Sequence, residues 1–383
     1  MASLVTLSSS PEILFDILTY LSHNDVFSVL QTCKSLFPVC HRHLWSVLIF
    51  QRDGYPWYPS HDLYASKTRY DRILELLQRP GADIPGLAFT KVLWLGDVIF
   101  GEQHFHRAKS LGRLIGGLLE RDELDLRCAI VSFPAHRFKQ DRTPDIFELL
   151  LDLKRYSERK STGNFNSRRF SIKLQADTIN SLPKYLCLEL VTDFVLRVQY
   201  DNISNFLGFY GTVDDRIAGF ISVLNQMPNL EIFTWKVLND HLMIDRALST
   251  SETALTNLQA AFGNLHCLRR LDLDGYMFHP HFFLIPPESV KTLIIRGTLR
   301  PEWWQKFVSC PLSNVRSLRF ATPSIDWLPP RDANRLLVFA IEDVAVTELE
   351  EFWTNDMGFL PKGLKACIRR RNAKLRYGDL ETL

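Results

Sequence analysis

The sequence predicts an α/β protein, in which a pack of three short N-terminal helices precedes an irregular solenoid of parallel strands and helices. Three observations predict it. Between residues 10 and 45, apolar residues recur at helical spacing in three separate runs. From about residue 90, short β-branched and aromatic runs alternate with longer helical patterns. Such alternation favours parallel strands, because a parallel neighbour is reached only by a crossover of about a dozen residues or more. Finally, the late strand-like runs recur at near-even steps: Leu271 to Leu293 is 22 residues, Leu293 to Leu318 is 25 and Leu318 to Val338 is 20.

The first helix opens at Pro11-Glu12-Ile13, with Ser9 or Ser10 as its N-cap and proline allowed in the first turn. Ile13, Leu14, Ile17, Leu18 and Leu21 form its apolar face. Ser22 with Asp25 starts a second helix, expected to bury Val26, Val29, Leu30 and Cys33. A third runs from near Ser35 to Leu44 and Trp45, with Pro38 in its first turn. About forty residues of helix close a core poorly on their own. Ile13, Phe15, Ile17 and Leu18 cannot all face one interior, so part of this surface is expected to complete its burial elsewhere.

These residues resemble an F-box. The positions that carry the resemblance are Pro11-Glu12-Ile13, Ile17, Leu21, Asp25-Val26, Cys33-Lys34 and Leu44-Trp45. Ser10 stands where the family has leucine, and Leu36 where it has an aromatic residue. The resemblance covers about an eighth of the chain. It implies docking on a Skp-type linker, and through it a cullin, by Pro11, Glu12, Ile13, Ile17, Leu18, Leu21, Asp25, Val26, Cys33 and Lys34. An ordinary amphipathic helical pack would explain the apolar spacing but not the joint order of these pairs.

The rest of the chain is read as a connector, residues 51–89, and a platform, residues 90–383. The connector is punctuated by Pro56, Pro59, Pro80-Gly81 and Pro85-Gly86 around one helical run at 69–78. In the platform, strands are expected at 91–95, 127–132, 169–174, 186–190, 231–235, 269–273, 291–295, 314–320 and 335–341. Helices are expected at 104–119, 143–156, 216–226, 251–262 and 301–308. The 20–25-residue steps fall within the range of leucine-rich repeats, which the text at Met227-Pro228-Asn229-Leu230 and Leu265-His266-Cys267-Leu268 also resembles. No ladder Asn or Cys recurs at a regular offset, and Leu188 to Ile232 spans 44 residues, so the repeats are irregular. A doubly wound open sheet is the competing architecture. No Gly-rich phosphate loop follows any expected strand, which argues against a nucleotide-binding version.

Composition narrows the function classes. With 46% hydrophobic residues and 26 Phe the chain is expected to fold rather than remain disordered. A formal net charge of +2 gives no general pull toward nucleic acid or membrane, so neither is expected as a partner. Seven cysteines without a Cys-x-x-Cys pair fit free thiols in a reducing compartment, cytoplasmic or nuclear. The first residues lack a signal-peptide pattern and no run of about eighteen apolar residues occurs. The sequon at Asn202 is expected to be silent.

Catalytic chemistry finds little support. The pairs His41/His43, His104/His106 (with Glu102) and His279/His281 lack further ligands at zinc spacing and are read as structural or surface histidines. There is no Gly-x-Ser-x-Gly elbow and no Walker loop, and Cys33 is read as small apolar bulk. No cofactor is expected. Basic clusters at Arg155, Arg159, Lys160, Arg168 and Arg169, and at Arg369–Arg371 with Lys374 and Arg376, are read as a solvated loop and helix face. If the strands line a concave surface, Trp235, Lys236, Asp272, Asp274, Tyr276, Arg296, Arg319 and Asp326 lie on or near it. The resemblance implies a non-catalytic receptor that brings a protein substrate to a ubiquitin ligase. A scaffold acting outside ubiquitination, or an α/β enzyme, remains open.

Overall fold

The computed structural model describes residues 11–18, 20–21, 23–32, 34–50, 85–96, 105–133, 144–162, 170–198, 211–237, 250–274, 282–296, 306, 310, 312, 314–321, 350–354 and 374–377. They fall into two compact units: residues 1–174 with 185–187, and 175–184 with 188–383.

The first unit begins with α1 (Pro11–Leu18), α2 (His23–Thr32) and α3 (Phe37–Ser46). Their shared core is Leu14, Leu18, Val26, Leu36 and Cys40, with Val29, Leu30, Val39 and Leu44 packed against it. Pro38 lies in the first turn of α3, where it interrupts no helical hydrogen bond. The chain leaves α3 directly into β1 (Val47–Phe50), Val47 being already extended. After a 3₁₀ turn at Pro85–Phe89 follow β2 (Val92–Leu95), α4 (Phe105–Glu120), β3 (Cys128–Phe133), α5 (Pro144–Thr162) and β4 (Ser171–Ala176), whose last two residues count with the second unit. β1 pairs with β2 and β2 with β3, all parallel. β1 was not expected: Val-Leu-Ile-Phe continues a helical run without a turn residue between.

Tyr156 of α5 anchors the turn before β3. Its hydroxyl donates to the Leu124 carbonyl at 2.8 Å and accepts from the Leu126 amide at 2.9 Å. Burial pushes its ionisation up to about 12 from 10.0. The folded state therefore holds this proton more tightly than the unfolded one. Its contribution is full below pH 10 and falls as pH rises toward 12. Tyr156→Phe leaves two buried backbone groups unpaired and is expected to cost about 1–3 kcal/mol at neutral pH. Chemical denaturation between pH 8 and 12 should show a shallower alkaline loss in the variant.

At the division lie a one-turn helix, α6 (Leu182–Tyr185), and a 3₁₀ turn at Leu188–Leu190. The second unit continues with β5 (Val191–Val198), α7 (Val213–Leu224), β6 (Ile232–Val237), α8 (Glu252–Gly263), β7 (Arg270–Asp274), β8 (Thr292–Arg296), β9 (Ser317–Ala321), β10 (Glu351–Thr354) and β11 (Lys374–Tyr377). Each of these strands pairs in parallel with the next in sequence, and the order never reverses. α7 starts three residues earlier than expected because Thr212 and Asp215 form a reciprocal capping box: the Asp215 amide donates to the Thr212 hydroxyl at 3.2 Å and Asp215 accepts from the Thr212 amide at 2.8 Å.

One local device recurs before β6, β7, β8 and β9. A tight turn, closed by the amides of Leu230, Leu268, Val290 and Val315 donating to the carbonyls of Met227, Leu265, Pro287 and Leu312 at 3.0–3.2 Å, sits two residues ahead of each strand. The amide one residue ahead of each of the next strands then donates to the carbonyl one residue ahead of the strand before: Arg269 to Glu231 at 2.8 Å, Lys291 to Arg269 at 2.8 Å, Arg316 to Lys291 at 2.9 Å. In register, Phe233, Leu271, Leu293 and Leu318 form one buried apolar row.

Several expectations are corrected. The strand expected at 186–190 lies at Val191–Val198; Leu186 and Leu188 are buried in the turns ahead of it. Lys374–Tyr377 is a strand, not part of a helix. β10 was not expected. The runs at 69–78 and 335–341, and 301–308 apart from Lys306, lie outside the described residues. No helix among the described residues is long and apolar enough to cross a membrane.

Candidate functional site

Two apolar stripes on α1 separate inside from outside. Leu14 and Leu18, one turn apart, enter the helical core. Ile13 and Ile17, one residue earlier on each turn, stay exposed at 54% and 38%, and Leu21 after the helix is 36% exposed. Tyr20, Phe27 and Phe37 are exposed too. Six of the eight large apolar side chains exposed among the described residues thus lie between positions 13 and 37. These exposed side chains are concentrated in the N-terminal helices rather than scattered over the described residues.

Of the residues named from the sequence, Pro11, Glu12, Ile13, Ile17, Leu21, Asp25 and Lys34 are exposed. Leu18 and Val26 are in the core, at 1% and 0% exposure, so they shape this surface by packing beneath it instead of forming it. Cys33 lies outside the described residues. Sequence reasoning did not single out Tyr20, Phe27 and Phe37. Phe27 directly follows buried Val26 on α2, about 100° further round the helix, and is left on its outer side.

The base of the helical pack is tied to β1 and β2. Trp45 stacks on Gly86, where an added Cβ would lie 2.4 Å from the indole. Thr90 donates its hydroxyl to the Trp45 carbonyl at 3.1 Å, and the Lys91 amide donates to the Ser46 carbonyl at 2.9 Å. Gly86→Ala must displace a rigid ring and is expected to destabilise by about 1–3 kcal/mol. Thermal melting of the full chain checks this, with Ala88→Gly on the exposed side of the same turn as the comparison.

The histidine pairs do not converge. His41 stacks on Phe37 at 5.3 Å and meets Phe89 edge-on at 6.1 Å, whereas His43 meets Phe15 at 5.1 Å. Among the described residues no three His, Cys, Asp or Glu side chains gather as a metal site. The side chains of His104, His106, His279 and His281 lie outside the description. The Cys40 thiol is pushed up by burial. Of the first basic cluster, Arg155 pairs with Asp152 at 3.0 Å, Lys160 pairs with Asp122 at 3.1 Å, and Arg159 donates to the Leu119 carbonyl at 2.7 Å. Arg159 and Lys160 thus brace α5 against the end of α4 and the turn after it, while the Arg155 pair stays within α5. Arg168, Arg169 and Arg369–Arg371 lie outside the described residues.

In the second unit, alternation along the strands separates an apolar face from a charged one. Trp235, expected at the surface, is fully buried on the apolar face beside Phe220. Lys236, Asp272, Arg296 and Arg319 belong to the charged face, but Asp272 is only 1% exposed because arginines cover it. Arg296 grips Asp272 through both nitrogens of its fork, Nε to Oδ1 at 2.8 Å and Nη2 to Oδ2 at 2.9 Å, while Arg270 approaches Oδ2 at 3.6 Å. Arg319 reaches Glu351 at 3.2 Å and donates to Ser317 at 3.1 Å. On β5, Arg197 pairs with Asp177 at 2.5 Å, and burial lowers its guanidinium to about 10. Tyr276 and Asp326 lie outside the described residues, as does the side chain of Asp274.

No curated protein is significantly similar to the chain. Residues 11–51 match the F-box-like family model. The three N-terminal helices and β1 therefore constitute an F-box-like domain, with an uncovered apolar stripe along its first helix.

Proposed function

We propose that the protein is a non-catalytic substrate receptor of an SCF-type cullin–RING ubiquitin ligase. F-box domains generally bind Skp-type linkers, and the observation that carries the reading is the exposed Ile13, Ile17 and Leu21 within the matched residues. The linker buries that stripe, with Pro11, Glu12, Asp25 and Lys34 around it; Leu18 and Val26 support the surface from beneath, and Cys33 is carried over from the family pattern. Through the linker the chain joins a cullin.

The parallel strands in sequence order and the repeated turn ahead of β6 to β9 support an irregular leucine-rich-repeat-like platform, which holds a protein substrate. A doubly wound sheet would reverse its strand order. The chemistry belongs to other subunits: tethering raises the effective concentration of the substrate's lysines near the charged conjugating enzyme. The work is done in the cytoplasm or nucleus.

Co-purification of the full chain with a Skp-type linker tests this. Stoichiometric capture is the expected result, together with a lengthened half-life of at least one bound protein when the chain is deleted. Absence of any capture overturns the ligase role.

A further inference from the structure

The charged face of the second unit carries more cations than acids. Its described side chains from β6 to β11 include Lys236, Arg270, Arg296, Arg319 and Lys374 against Asp272 and Glu351. Asp274 and Arg376 add one position of each sign by register, so the excess of three positive charges stands. This exceeds the +2 of the whole chain.

The excess is concentrated around Arg270. Asp272 already gives both oxygens to Arg296, and Arg270 shares one of them only at 3.6 Å. Its Nε is buried without a hydrogen-bond acceptor among the described residues. Burial lowers the Arg270 guanidinium; Asp272 opposes that, while Arg319 and Arg296 reinforce it. Among the described residues, three guanidiniums from three adjacent strands thus share two carboxylates, Asp272 and Glu351. Thr292 and Ser317, small and polar, continue the row of Arg270, while buried Ile294 lies between Asp272 and Arg319 on the next. Neighbouring strands are about 4.8 Å apart, so the strip from β6 to β11 extends over roughly 20–25 Å, long enough for about seven residues of extended peptide.

We infer that this arginine-rich strip is a docking surface for an extended acidic peptide segment of a partner protein, whose carboxylates pair with Arg270 and Arg319. The inference names the substrate class for the receptor role proposed above and rests on that reading for its biological meaning. Arginine suits the task because its planar fork takes a carboxylate through two parallel hydrogen bonds.

The test is fluorescence anisotropy on the purified full chain with two labelled ten-residue peptides, alternating Glu-Ser and alternating Gln-Ser, and with a ten-nucleotide oligo-dT. The Glu-Ser peptide is expected to bind at least tenfold more tightly than its Gln-Ser counterpart, and to weaken as salt rises. Arg319→Gln is expected to reduce its affinity about tenfold. Because that change also breaks the pair with Glu351, Lys236→Gln/Lys374→Gln provides a second variant outside the ion-pair lattice. It should weaken the peptide several-fold with unchanged melting. Equal affinity for the two peptides, wild-type affinity in both variants, or tighter binding of oligo-dT each overturns the proposal. Linker capture is scored on the same samples. Capture without acidic-peptide binding removes this inference alone, and peptide binding without capture removes the ligase role alone.

Discussion

Ile17→Asp/Leu21→Asp is expected to abolish capture of the Skp-type linker, by about 100-fold or more, while leaving the melting transition in place. Both side chains are more than one-third exposed, so their replacement creates no cavity. Burying each against a partner contributes on the order of 1 kcal/mol, and forcing two unpaired carboxylates into the same contact costs several more. A 100-fold loss corresponds to about 2.7 kcal/mol, within reach of those terms. Leu14→Asp is the informative contrast. Leu14 lies three positions before Ile17 on α1 but is fully buried among Leu18, Val26 and Cys40, so this change should unfold the helical pack itself. Affinity measured by pull-down and helicity measured by circular dichroism separate the two outcomes. Undiminished capture by the double variant would remove the α1 stripe from the interface.

Phe233→Ala carries the largest expected effect on the second unit. Phe233 is fully buried on β6, with Phe262 at 5.3 Å, Phe194 at 5.7 Å and Phe220 at 6.1 Å around its ring. It joins helices α7 and α8 to the strands. Truncation leaves a cavity where three other rings meet, and is expected to cost about 3–5 kcal/mol. Differential scanning calorimetry should show the affected transition lowered by roughly 10 °C. Ile285→Ala, at an exposed position of the same unit, should stay within about 0.5 kcal/mol. Linker capture by either variant should match the wild type.

How much of this was legible in the sequence depended on the kind of signal. The F-box-like domain was legible because its pattern is distributed: Pro11-Glu12-Ile13, Asp25-Val26 and Leu44-Trp45 occur in order, and the family match covers residues 11–51. Strand–helix alternation placed β2, β3, β6, β7 and β8 within a residue or two, because turn residues bracket them. β5 was shifted because Leu186 and Leu188 read as strand, although their burial comes from turns. Which face a strand residue occupies was harder. Trp235 and Lys236 are adjacent in sequence, yet only pairing with β7 decides that the tryptophan goes under the helices. Asp272 looked like a surface acid; its burial depends on Arg296, 24 residues away. Likewise, Ile13 and Leu14 are equally apolar, and only the placement of α2 and α3 decides which one is left uncovered.

The junction at Ser46–Val47 has a mechanical consequence. Helix α3 passes into β1 without a hinge, and Trp45 wedged on Gly86 locks the angle. A partner seated on α1 is therefore mounted on a stiff bracket whose orientation is set by strand pairing, not by a tether. Inserting a single residue after Ser46 would either turn every β1 side chain to the opposite side or swing the bracket through a large angle. The direction in which α1 presents its apolar stripe relative to β1 and β2 is built into a few residues of backbone.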